Sequence, residues 1–191
     1  MKTSPLPDLN YLKECFEIDP SIPQGIRWKS QRPASHFKKL KAYKIWSARF
    51  AGKACGTLRF SDRSRREYYK LLVNYKEFFN HRIIYAIHNN TTDFNGKVID
   101  HIDGNSLNNN PQNLRLVTMS ENSLNSKKRE NNNTGHKNIY FHKIHKLYVC
   151  SIKANGKKNW IGSYKTLEEA LVARNSYIEK LKIELGDYFR I

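Results

Sequence analysis

The chain has 191 residues, with 34 Lys plus Arg against 17 Asp plus Glu and a formal net charge of +17. That excess excludes a charge-balanced surface and points to a polyanionic partner, most simply nucleic acid. Three distant cysteines (Cys15, Cys55, Cys150) without a CxxC pair exclude a disulfide framework and a zinc ribbon, no apolar run reaches the ~18 residues of a membrane helix, and the N-terminus lacks the apolar core of a signal peptide, so a reducing, bacterial or phage-infected cytosol is expected.

Residues 9–18 carry apolar side chains at helical spacing (Leu9, Leu12, Cys15, Phe16), ended by Pro20 and Pro23. Ile26–Trp28 reads as a short strand. Residues 29–53 read as basic and irregular, punctuated by Phe37, Tyr43, Trp46 and Phe50. Cys55–Phe60 and Tyr68–Tyr75 read as strands flanking a basic turn that carries Arg63, Arg65 and Arg66. Phe78–His88 is an apolar-aromatic helix candidate, and Asn89–Gly96 is polar and turn-rich.

Val98–His101 reads as a strand, Gly104–Gln112 as an Asn-crowded loop, and Leu114–Val117 as the returning strand. Thr118 stands three residues before Glu121, a capping-box pattern opening a helix from about Met119 to about Arg129. Asn131–Gly135 has little to pack and much to solvate, so 131–136 is assigned as a linker. Beyond it the period changes to two. Asn138–His142, Tyr148–Lys153 and Lys158–Ile161 read as strands, and Asn155-Gly156 is a hairpin turn. Thr166 and Glu169 form a second capping box. Its helix sets Leu167, Ala170, Leu171, Tyr177, Ile178 and Leu181 at helical spacing.

The segment 98–122 carries the chemistry. Asp100 and His101 are adjacent, and neighbours on a regular strand point to opposite faces. They can share a phosphate only where the strand ends, and Asp103-Gly104-Asn105 supplies the turn. Asn122 falls in the first turn of the following helix, whose N-terminus favours an anion. Asp100 and Asn122 offer hard oxygen ligands to a divalent cation, Mg²⁺ first and Mn²⁺ second. His101, with an ordinary pKa near neutrality, can accept a proton from attacking water. Asn113 is expected to bond across the loop and orient His101. Arg82 is read either as a phosphate contact or as a structural arginine. Asp, His and Asn are each commonplace on polar surfaces; it is their order within strand, turn, strand and capped helix that singles them out.

This pattern resembles the HNH endonuclease family of phage-encoded and homing enzymes, through Asp-His-Ile-Asp-Gly-Asn, Asn-Leu-Arg-Leu-Val-Thr and Glu-Asn-Ser-Leu-Asn. The resemblance implies a metal-binding Asp100, a general base His101, a loop-tethering Asn113 and a final metal ligand Asn122. Less specific likeness extends upstream, to Gly25–Pro33 and Asn80–Ile84.

The C-terminal part resembles the ethylene-response-factor type of DNA-binding domain, through Asn138-Ile-Tyr-Phe, Tyr148-Val-Cys-Ser-Ile-Lys, Trp160-Ile-Gly-Ser-Tyr and Thr166-Leu-Glu-Glu-Ala-Leu. Alternation turns Ile139, Phe141, Tyr148, Cys150, Ile152 and Ile161 toward the helix. It turns Tyr140, His142, Ser151, Lys153, Lys158 and Trp160 outward, where a sheet can meet the major groove. That family's arginines are absent from this face, so its target preference does not carry over. Arg63, Arg65 and Arg66, with Lys38–Lys44 and Lys127–Arg129, are expected to touch backbone phosphates.

The expected fold class is α+β: a β-rich N-terminal part (1–80) leading into a ββα-metal motif (about 97–130) within a nuclease domain over 1–130, then a three-stranded antiparallel sheet packed on one helix over 137–191. The expected activity is metal-dependent hydrolysis of duplex DNA, nicking as a monomer or cutting both strands as a homodimer, with no membrane and no small-molecule substrate. Homing or phage mobility is the expected role. A restriction enzyme, an RNA-directed or toxin nuclease, and a non-catalytic DNA-binding regulator that keeps the motif's shell are the alternatives.

Overall fold

The first helix is shorter than its apolar spacing suggests. In a computed structural model, which describes residues 4–62, 64–124, 132–154 and 157–185, α1 runs Leu9–Cys15. Asp8 caps it by accepting from the backbone N–H groups of Asn10 and Tyr11. Phe16 turns extended and opens strand β1 (Phe16–Ile18), which pairs antiparallel with β2 (Ile26–Trp28). Phe16 sits opposite Trp28 in that register, and their rings lie 4.5 Å apart. Cross-strand aromatic pairing of this kind outweighs one more turn of a short helix.

Residues 29–53, expected to be irregular, contain a helix, α2 (Leu40–Phe50). Its only buried residue is Trp46, which packs against Trp28 and Phe37. A helix anchored by one side chain leaves no apolar stripe in the sequence, which explains why periodicity does not reveal it. Arg32 plugs this aromatic cluster. It is 9% exposed, with its guanidinium over Tyr11, Trp28, Phe37 and Trp46.

Strands β3 (Thr57–Ser61), β4 (Arg66–Val73) and β5 (Lys76–Phe79) form an antiparallel sheet in that order. The expected helix over 78–88 loses its first two residues to β5 and becomes α3 (Asn80–His88). Strands β6 (Val98–His101) and β7 (Leu114–Val117) pair with one another, with the bounds their patterning indicates. Leu12, Cys15, Phe16, Ile26, Leu71, Phe78, Ile83, Ile84 and Leu114 build one core beneath these elements.

The chain divides into two compact units, Met1–Leu116 and Val117–Ile191. This division counts α4 (Met119–Leu124) with the second unit, where it contacts β9 (Leu147–Ala154), whereas sequence places the boundary at 131–136. The capping box at its start is present. Glu121 Oε2 accepts from Thr118 N at 2.6 Å, and Glu121 N donates to Thr118 Oγ1 at 3.2 Å. The expected continuation of this helix to about residue 129, with the Lys127–Arg129 run and Asn131, lies outside the described residues.

The second unit also holds β8 (Ile139–His142), β10 (Lys157–Tyr164) and α5 (Leu167–Leu185). The sheet order is β10-β9-β8, all antiparallel, and α5 packs on it. Asn155-Gly156 lies outside the described residues. The second capping box closes through Thr166 and Glu169. Ile139, Cys150 and Ile152 are buried and Tyr148 and Ile161 partly so, on the face that α5 covers through Leu167, Ala170, Leu171, Tyr177, Ile178 and Leu181. The register shifts at Ile161, between Trp160 and Gly162. All three cysteines are buried and free, and burial pushes the Cys55 thiol up to about 12 and the Cys150 thiol up to about 11. Among the described residues no helix is long and apolar enough to cross a membrane.

Candidate active site

Asp100 and His101 end β6, and both are largely buried, at 7% and 5% exposure. The chain reverses immediately after them: Gly104 N donates to His101 O at 2.9 Å, and Gly104 adopts φ +75°. Only a residue without Cβ takes that conformation at little cost, so the turn that ends the strand beyond His101 depends on it.

The Asn-rich loop is held by a network of its own. Asn113 Oδ1 accepts from Asp103 N at 3.0 Å, and its Nδ2 donates to Asp103 Oδ1 at 3.0 Å and Asn108 O at 2.8 Å. Asn108 Nδ2 donates to Asp103 Oδ2 at 2.7 Å. Burial pushes the Asp103 carboxyl upward, but bonds from Asn108, the Asn105 backbone and Asn113 outweigh it, so the group ends below the usual carboxylate range. Asn113 therefore ties the two arms of the loop together.

The side chain that meets His101 is a different asparagine. His101 Nε2 lies 3.2 Å from Asn109 Oδ1. Asn109 is 3% exposed, and its Nδ2 reaches Gln24 O at 3.4 Å. A proton on Nε2 satisfies the Asn109 contact and makes Nδ1 the basic nitrogen. Asn113 bonds across the loop as expected, and Asn109 is a second asparagine that touches the imidazole itself. Little in the sequence signals this, because Asn109 is one of three consecutive asparagines.

His81, at the start of α3, presents its ring edge to face with that of His101 at 5.0 Å and stacks on Phe79 at 5.2 Å. Burial drives the His81 pKa well below its ordinary value, and the neighbouring His101 and Arg82 push the same way. His81 is thus a neutral ring wedged against His101. Arg82 leaves the helix in another direction. Its Nη1 donates to Ser4 O at 3.0 Å and its guanidinium lies over Phe94. Of these two neighbours in sequence, the residue beside His101 is His81.

Asp100 has a cationic partner that spacing did not single out. Arg115, on β7, donates through Nε at 3.1 Å and Nη2 at 3.0 Å, both to Asp100 Oδ2. Alternation on two paired strands is the signal that could have found it. Asn122 lies on α4 in the second unit, half-buried, with its N–H bonded to Thr118 O at 3.0 Å. Among the described residues, no group of three or more His, Cys, Asp or Glu is arranged to hold a metal. Taken by itself, the buried Asp100 carboxylate is a hard oxygen donor, which suits a small divalent cation better than zinc.

Of the expected DNA contacts, Arg65 is exposed in the β3–β4 turn with φ +51°, Arg66 is half-buried at the start of β4, and Arg63 lies outside the described residues. On the second unit's sheet, Trp160 pairs with Ser151 and Lys158 with Lys153, and Tyr140 sits on the neighbouring strand. Trp160 is 68% exposed, and Lys153, Lys158 and Tyr140 are exposed too. Ser151 is half-buried, and His142 is half-buried against His145.

Comparison with known proteins gives two matches. Protein 3.8 of Escherichia phage T7 is 40% identical over 73 residues, which is 38% of this chain and 60% of that protein's length. The chain therefore spans less than two-thirds of this relative. No solved structure matches the chain significantly. Residues 78–124, from the end of β5 through α4, match the family model described as HNH endonuclease.

Proposed function

We propose that the chain is a divalent-metal-dependent endonuclease that hydrolyses phosphodiester bonds in duplex DNA. The observation that carries the reading is His101: a buried imidazole beside a buried carboxylate at a strand end, bonded by Asn109 and backed by His81, inside the segment that matches the HNH endonuclease model. In this reading His101 Nδ1 takes a proton from water as the water oxygen bonds to phosphorus, and the 3′ oxygen leaves with its bonding pair. Asn109 and His81 hold the imidazole in one orientation, and Asn113 holds the loop from which Asn109 projects. Asp100 and Asn122 would hold the cation, Mg²⁺ or Mn²⁺, which supplies neutralisation of charge on the phosphate. Arg82 belongs to the support of α3 rather than to the phosphate.

The C-terminal sheet, with Trp160, Lys153, Lys158, Tyr140, Ser151 and His142 on its outer face, serves as the second DNA contact, in the manner of the ethylene-response-factor domain it resembles. A single active site makes a nick the product of a monomer and a double-strand break the product of a dimer. A homing or phage-mobility role in the cytosol of an infected bacterium completes the proposal.

One observation favours a second reading, a DNA-binding regulator without catalysis. The guanidinium of Arg115 is already seated on the Asp100 carboxylate. Incubating supercoiled plasmid with the protein and Mg²⁺ or Mn²⁺ separates the two. The nuclease reading expects relaxed or linear product; plasmid that stays supercoiled with both metals supports the regulator.

A further inference from the structure

The β3–β4 hairpin reaches beyond its sheet. β5 pairs with β4 only from Lys70 to Val73, whereas β3 pairs with β4 from Arg66 to Lys70. From Arg66 to Tyr69 the hairpin is therefore a two-stranded ribbon.

The two faces of this sheet differ in kind. Leu71, Val73 and Phe78 belong to the core, and Leu58, Phe60, Glu67 and Tyr69 continue the same face outward. The opposite face carries the cross-strand pairs Arg59–Tyr68, Ser61–Arg66 and Thr57–Lys70. Its inner end leads to the site already described. The ring of Tyr68 lies 5.2 Å from that of Phe79 and 5.8 Å from that of His81, and His81 lies 5.0 Å from His101. A basic, aromatic sheet face thus runs without interruption to the candidate base. The charged side chains of this face are Arg59, Arg66 and Lys70 with Glu77, which meets Lys70 at 2.9 Å, while Glu67 lies on the other face.

We propose that the β3–β4 ribbon lays its Arg59–Arg66–Tyr68 face on duplex DNA beside the bond to be cut. This rests on the nuclease reading above. A two-stranded ribbon has the width to enter the major groove. Arg59 and Arg66 meet phosphates along the backbone, and Tyr68 marks where the strand passes toward His81 and His101. Leu58 and Phe60 face away from the duplex.

Adjacent residues on a strand test this directly, because they point to opposite faces. Full-length protein carrying Arg59→p-benzoylphenylalanine or Phe60→p-benzoylphenylalanine is irradiated with a short mixed-sequence duplex in EDTA. Crosslinking from position 59 well above that from position 60 is the expected result. Equal yields, or a yield confined to position 60, overturn the proposal. As a second measurement, Arg59→Ala/Arg66→Ala should reduce the slope of log affinity against log salt by about 2, one for each phosphate that is no longer neutralised. The control Lys76→Ala/Lys97→Ala removes equal charge from elsewhere in the same unit. An identical slope change in both variants also overturns the proposal, since it reports charge alone. Failure of the nuclease reading looks different: crosslinking at 59 with uncut plasmid sinks catalysis and leaves the ribbon surface standing, whereas cut plasmid without preference for 59 sinks the ribbon alone.

Discussion

The imidazoles of His81 and His101 meet edge to face with their centroids 5.0 Å apart. The contact joins the first residues of α3 to the last residue of β6, so the orientation of the candidate base depends on the helix that precedes its strand. Asn109 fixes the other side of the ring at 3.2 Å.

Removing Asn109 should therefore harm turnover more than binding. Asn109→Ala deletes a small polar group in the loop and frees His101 to rotate. A fall in kcat of about tenfold, with KM nearly unchanged, is the expected pattern for the loss of an orienting hydrogen bond worth about 1.4 kcal/mol. Steady-state nicking kinetics on plasmid measure it. An unchanged kcat contradicts the orienting role.

The depressed pKa of His81 gives stability a pH dependence of known sign. Above pH 6.5, its ordinary value, folded and unfolded chains both hold this ring neutral. As pH falls below 6.5 the unfolded chain takes up a proton that the buried ring refuses. Folding then loses up to about 1.4 kcal/mol per pH unit, until the lower folded pKa is reached. His81→Phe keeps an aromatic ring against Phe79 and removes the titration. Urea unfolding followed by Trp fluorescence at pH 7.5 and 5.5 should show a smaller acid loss in this variant. Equal acid losses contradict the assignment.

Asn80 is predicted to be indispensable to the first unit. It is fully buried, and its Nδ2 donates to Cys55 O at 2.9 Å and Gln24 O at 3.0 Å. Asn80→Ala takes this donor from the buried Cys55 carbonyl, at about 1–3 kcal/mol, and from the half-buried Gln24 carbonyl. Gly56 lies against the same side chain with φ +106°, and a Cβ there would come within 2.5 Å of Asn80 Nδ2. Gly56→Ala should consequently be destabilising too. A denaturation midpoint for either variant within error of the parent protein contradicts this anchoring of α3.

Much of this was readable in the sequence. β6 and β7 have the bounds that alternation and turn residues mark, and both capping boxes close through the residues expected. The outward placement of Tyr140, Lys153, Lys158 and Trp160 follows from period two alone. What stayed hidden was set by tertiary contact. α2 owes its burial to Trp46 alone, and β1 takes its first residue from a helix pattern because Phe16 pairs with Trp28. The partners of the site residues were harder to see. Asn109 reaches His101 through a loop fold that no local pattern encodes, whereas Arg115 meets Asp100 across paired strands, where alternation gave a signal.

Trp160 separates DNA contact from folding in the second unit. Its side chain is 68% exposed on the outer face, so Trp160→Ala should change stability by less than about 0.5 kcal/mol. Loss of a base- or sugar-stacking ring should weaken duplex affinity by about 1–3 kcal/mol. Thermal unfolding and fluorescence anisotropy on the same samples test both halves. Unchanged affinity contradicts the proposed reading face.

Whether His101 is the base is decided by single-turnover nicking of supercoiled plasmid with Mg²⁺. The parent protein and His101→Ala are compared at protein concentrations that saturate binding for both. Nicked product is expected from the parent protein. The variant should cut about 10²–10⁴-fold more slowly, the ordinary contribution of a general base, with duplex affinity little changed. Equal rates for the two proteins would remove His101 from the chemistry and the nuclease mechanism with it.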